Sequence, residues 1–158
     1  MRALTLWQPW ASLVIAGAKP YEFRSWRPPS SVIGQRIVIH ASARKVDRRE
    51  VEQLIRLLRA GGRYAAATAL TPIERALAIL YFEDWPLGCG VGTAVIGEPR
   101  SGADIGADLG VPRANDSSRD DHTNWGWPML DIERWPDPLP MRGAQGLWPW
   151  PEPEALFA

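Results

Sequence analysis

Gly17-Ala18-Lys19-Pro20-Tyr21-Glu22-Phe23-Arg24 is the stretch that decides how this chain is read. Glycine at position 17 permits a tight helix exit, and the residues from Tyr21 to Trp26 alternate as a strand requires. Glu22, Arg24 and Trp26 then share one face, Tyr21 and Phe23 the other, and Lys19 approaches from the strand's start. The three charged groups form a polar cluster with a net positive charge. Such a cluster suits an anionic ligand, because a guanidinium can grip a phosphate through two parallel hydrogen bonds while an ammonium adds a point charge. Glu22 can hold Arg24 in place or accept from a base amino group. The alternative is an ordinary surface ion pair, which contributes roughly 0 to 1 kcal/mol.

Upstream, Arg2 to Leu6 reads as a short strand, and Gln8-Pro9-Trp10 introduces a helix that ends near Gly17. Trp10, Leu13, Val14 and Gly17 recur at spacings of three and four, so this helix lays an apolar face on the core. Trp10 belongs to that stripe. Trp26 shares the face of Glu22 and Arg24, where its indole can stack on a base. Gln8 and Ser42 can hydrogen-bond a base or sugar at the rim, or simply cap a helix and a turn.

Downstream, the β-branched run Arg36 to Ser42 predicts a central strand. Asp47 with Glu50, and Thr71 with Glu74, are capping boxes that open two helices, the first stopped by Gly61-Gly62 and the second running to about Phe82. Gly90 to Glu98 and Trp127 to Arg134 read as strands, and Gly143 to Trp148 as a turn with a last short strand. Residues 100–123, rich in Gly, Asp, Ser and Asn, predict a long, exposed and flexible loop.

A chain of 158 residues with 46% hydrophobic composition suffices for one core, so a single domain over 1–158 is expected. One cysteine, Cys89, rules out an intrachain disulfide and suits a reducing compartment. With no cleavable leader and no long apolar run, a cytoplasmic protein without membrane contact is expected. The zero net charge excludes a protein that coats nucleic acid by field alone. Yet residues 1 to 59 carry eleven Lys/Arg against four acids, a surplus of seven balanced by the remainder. That split fits a polyanion-binding half or a chance division of one domain. No cofactor or metal is expected: His40 sits in an apolar strand, and Asp116, Asp120, Asp121 and His122 lack calcium-loop spacing and its glycine.

Leu4-Thr5-Leu6-Trp7-Gln8-Pro9-Trp10-Ala11-Ser12-Leu13 and the Gly17 to Arg24 stretch, whose pattern is GxKxxExR, resemble the ASCH domain family. Ile37 to Ser42 and Gly146-Leu147-Trp148 are similar to later segments of that family. The resemblance implies an α+β fold, a small PUA-like mixed β-barrel flanked by about three helices. It also implies a cleft lined by Lys19, Glu22 and Arg24, and a role in RNA metabolism with RNA, a nucleoside or a nucleotide as partner.

Catalysis is the alternative to binding. One ASCH branch comprises amidohydrolases acting on N4-acetylcytidine through a lysine, a threonine of the same motif and a distant glutamate. Lys19 matches that lysine, whereas Glu22 stands at the threonine position. A ribonuclease would use Lys19 or Arg24 to stabilise phosphorane charge and Glu22 or His40 to move a proton from the 2′-hydroxyl. Lys19 and Glu22 are the catalytic candidates of either enzyme.

Overall fold

The computed structural model describes residues 1–82, 84–114 and 125–151. In chain order the elements are β1 (Arg2–Leu6), α1 (Trp10–Ile15), β2 (Tyr21–Arg24), β3 (Arg36–Ala41), α2 (Arg48–Ala60), α3 (Gly62–Ala67) and α4 (Ile73–Phe82). There follow β4 (Cys89–Ile96), β5 (Arg100–Ser101), α5 (Gly102–Asp108), β6 (Trp125–Pro140) and β7 (Leu147–Pro149).

The strands form one mixed, curled sheet, a half-barrel in the order β2-β6-β4-β3-β1-β7, with β5 beside β6. Strands β1 and β3 run parallel, with Thr5 opposite His40. Every other pairing is antiparallel. The curl comes largely from β6, which pairs with β2 through Trp125–Pro128 and with β4 from Met129 onward. Register shifts interrupt its ladder with β4, and Asp131 lies there at φ 45°. Such bulges bend a strand and re-aim it.

The apolar alternation of the strands buries both sheet faces. Leu4, Leu6, Ile37, Ile39, Val91, Ile96 and Trp127 form the main core with α1. On the other face Ala3 and Val38 meet Trp148 and Trp150. A second apolar cluster joins Leu13 of α1 to Val51 and Leu58 of α2 and to Ala76 and Leu80 of α4. Removing these side chains from water contributes roughly 25 cal/mol per Å² of apolar surface. No helix among the described residues is long and apolar enough to cross a membrane.

The mixed barrel-like α+β architecture matches the expectation from sequence, with five α-helices among the described residues rather than about three. The expected loop over 100–123 is corrected in its first part. Residues 100–108 form β5 and α5, because Ser101 caps the helix by accepting from Asp104 N (3.0 Å) and Ile105 is fully buried against Phe23. Asp116, Asp120, Asp121 and His122 lie outside the described residues.

Candidate functional site

A cleft of about 1090 Å³ opens at the carboxyl ends of β1, β2 and β3. Thr5, Leu6 and Trp7 contribute one side, Glu22 to Trp26 the floor and a second side, and His40, Ser42 and Ala43 the third. Gly88 and residues 141–146 close the circuit.

The GxKxxExR segment reaches the cleft through its helix exit. Gly17, at φ 72°, ends α1 in a Schellman turn: Ala18 N donates to Leu13 O and Gly17 N to Val14 O, both at 2.9 Å. A side chain at φ 72° is strained, so glycine makes this reversal inexpensive. The chain then delivers Lys19 beneath β2 rather than to its mouth. Lys19 is 1% exposed, and its Nζ donates to Tyr21 O (2.6 Å) and to Glu22 Oε2 (2.9 Å) between the Trp10 and Phe23 rings. It does not line the cleft, which corrects the expectation of a lysine meeting ligand as a mobile charge.

Glu22 does line it, although buried. Its second oxygen accepts from Arg24 Nε at 3.2 Å, so one carboxylate is clamped between two cations. Arg24 Nη2 donates to Thr5 O at 3.2 Å, which pins the guanidinium across β1 and β2. Nη1 makes no hydrogen bond among the described residues. A buried charge is tolerated only when paired and hydrogen-bonded, and this triad meets that condition.

Aromatic rings flank the floor. Trp26 is 40% exposed and rests edge-on against buried Trp127, with centroids 4.7 Å apart. Trp7 is 54% exposed and carries the Arg44 guanidinium over its ring at 3.7 Å. Strand β2 ends at Arg24, and Glu22, Phe23, Arg24, Ser25 and Trp26 all line the cleft.

Two of the other expected contacts separate. Ser42 lines the cleft, with its Oγ accepting from Arg44 N at 3.0 Å. Gln8 is buried and outside it: Oε1 accepts from Ser12 N (3.0 Å) and Nε2 donates to Pro86 O (2.9 Å). That is the capping role, holding α1 to the segment before β4.

Sequence reasoning missed the wall opposite Arg24. The Trp148 indole N–H can only donate, and it gives its hydrogen to Thr5 Oγ1 at 2.9 Å. His40 Nδ1 lies 3.3 Å from that hydroxyl and Nε2 lies 2.8 Å from Met141 O. A carbonyl only accepts, so Nε2 carries a hydrogen, and the Thr5 hydroxyl is free to donate to Nδ1. The loop of residues 141–146 is thereby fixed at His40, and also where Met141 N meets Gly88 O and Thr5 N meets Gly146 O. Gly143 packs on the imidazole so closely that a Cβ there would stand 2.4 Å from Cε1. The register of the parallel β1–β3 pair, which sets Thr5 opposite His40, is what brings these groups together.

The ASCH domain family model matches residues 4–98. Among solved structures, the ASCH protein from Zymomonas mobilis aligns with a TM-score of 0.54 at 14% identity, covering 99% of this chain and 90% of that one. Two point mutants of the same protein align with TM-scores of 0.52 at 14% identity, covering 99% of this chain and 91% and 93% of theirs. At such identity the likeness is one of fold. No curated protein matches the chain.

Proposed function

The chain belongs to the ASCH domain family, a family linked to RNA binding, and from that premise we propose that its cleft binds RNA or a nucleotide in cytoplasmic RNA metabolism. The observation that carries this reading is Glu22, buried and clamped by Lys19 and Arg24 yet facing the cleft. It offers a fixed carboxylate for a base amino group, beside the Arg24 Nη1 donors for a phosphate or carbonyl oxygen. Lys19 sets this pair from beneath. The Trp26 and Trp7 rings supply exposed apolar surface on which bases can stack, a contact worth about 1 to 3 kcal/mol each. Ser42 contributes a hydroxyl at the rim.

Binding is favoured over ribonuclease or N4-acetylcytidine amidohydrolase activity by two features. Lys19, the lysine that either enzyme would use, is 1% exposed and does not line the cleft. Glu22 occupies the position where the amidohydrolases use threonine.

Equilibrium titration of the protein with ribonucleoside monophosphates and short single-stranded RNAs tests the proposal, beside Arg24→Gln with its folding checked by circular dichroism. Saturable binding, weakened at least tenfold in folded Arg24→Gln, is expected. Absence of binding by the wild-type protein would overturn the reading. Chromatography of the same mixtures reads any conversion to products, which would return the enzyme alternative.

A further inference from the structure

The basic residues of the first half continue beyond the cleft. From Ser42 and Ala43, which line it, the chain passes to Arg44 on the Trp7 ring and then into α2. Arg49, Glu52, Arg56 and Arg59 follow at spacings of three, four and three, which is one stripe of the helix, and all four are exposed. The apolar stripe of Val51 and Leu58 is turned inward against α4. No acidic residue occurs between Gln53 and Ile73. Among the described residues no carboxylate pairs with Lys45, Arg48, Arg49, Arg56 or Arg59. Arg59 Nη1 donates to Tyr81 Oη at 3.1 Å, but exposed arginines without carboxylate partners repel one another, and neutral overall charge gives no general reason to keep them together.

We propose that the α2 stripe is a phosphate track for a single-stranded RNA that is longer than the cleft: one part of the strand seats its bases between Trp7 and Trp26, and the adjoining backbone runs past Arg44 onto Arg49, Arg56 and Arg59. The inference rests on the cleft reading and extends it from a nucleotide to a polymer. Within the helix Arg48–Ala60, the rise of 1.5 Å per residue from Arg49 to Arg59 gives a track about 15 Å long. An anionic membrane is a poorer occupant, since no apolar face of α2 remains to enter it.

The test compares a mononucleotide with a labelled single-stranded RNA of about 20 nucleotides, each titrated at several salt concentrations. The proteins are wild type, the triple variant Arg49→Gln/Arg56→Gln/Arg59→Gln and, as a stronger perturbation, Arg49→Glu/Arg56→Glu/Arg59→Glu, each with its melting curve. We expect the long RNA to bind more tightly than the mononucleotide, and the glutamine variant to weaken the long RNA at least tenfold at low salt. Mononucleotide affinity stays within twofold. Losing three contacts lowers the slope of log affinity against log salt by about 2, at about 0.7 per phosphate on a single strand. Unchanged affinity for long RNA in either folded variant, equal losses for both ligands, or no gain with length would overturn the track and leave the cleft reading intact. Loss of mononucleotide binding in folded Arg24→Gln, by contrast, tests the cleft alone.

Discussion

Lys19 Nζ stands 2.9 Å from Glu22 Oε2 in a setting where only 1% of the lysine is exposed, while Arg24 holds the other carboxylate oxygen. The lysine is thus the foundation of the site rather than its contact surface. Lys19→Met leaves Glu22 buried with one partner instead of two, and breaking a buried pair from one side costs about 3 kcal/mol. Lys19→Met combined with Glu22→Gln recovers more than half of that loss. Urea unfolding of both variants checks this, and a double variant less stable than the single would contradict it.

The two rim indoles separate from the core indole beneath them. Trp26→Ala or Trp7→Ala lowers ligand affinity by about 1 to 3 kcal/mol. Stability falls by no more than about 1.5 kcal/mol in Trp26→Ala, the value of one aromatic pair. Trp127→Ala removes a fully buried ring and costs about 3 to 5 kcal/mol of stability. Titration and thermal melting of the three variants distinguish these effects.

Gly143 and Thr5 hold the opposite wall. Gly143→Ala drives a Cβ into the His40 ring, so the loop shifts and affinity falls while the barrel remains folded. Thr5→Val leaves the Trp148 indole N–H without its acceptor, a loss of about 1 to 3 kcal/mol. Calorimetry for the first and denaturant unfolding for the second read these outcomes.

Cys89 reports on the core. Burial pushes its thiol up from the ordinary 9.0, so the folded state keeps its proton to higher pH than the unfolded chain. The associated stability is present below that value and is lost as pH rises through the folded pKa. Denaturant midpoints therefore decline above about pH 9 by more than in Cys89→Ala. A disulfide reagent at neutral pH reacts slowly until denaturant is added.

Much of this arrangement was legible in the sequence because local rules and tertiary structure agree. Asp47 caps α2 as the capping box implied, though through Arg49 N. Glu22 and Arg24 both line the cleft, though Phe23 and Ser25 between and beside them do so too. Local rules failed where tertiary packing overrides them. Gly61-Gly62 stops α2 as read, but α3, which starts at Gly62 with φ 70°, had no local signal, and α5 hides among small residues with Ser101 and Asp104 as its one signal. Four prolines argue against a strand such as β6, but bulges and incomplete pairing accommodate them. The burial of Lys19 is a fact of three-dimensional packing: nothing in its spacing distinguishes a lysine beneath the strand from one at its mouth. The wall of residues 141–146 joins segments about a hundred residues apart in sequence, such as His40 and Met141, beyond the reach of any local pattern.

The most direct test of the account is nuclear magnetic resonance of the indole N–H groups during titration with a ribonucleotide and then a short single-stranded RNA. The account predicts saturable shifts at Trp7 and Trp26, with Trp148 and Trp150 unmoved, and their loss in folded Arg24→Gln. Shifts scattered over all the indoles, or none with either ligand, would contradict a nucleobase cleft floored by Glu22 and Arg24.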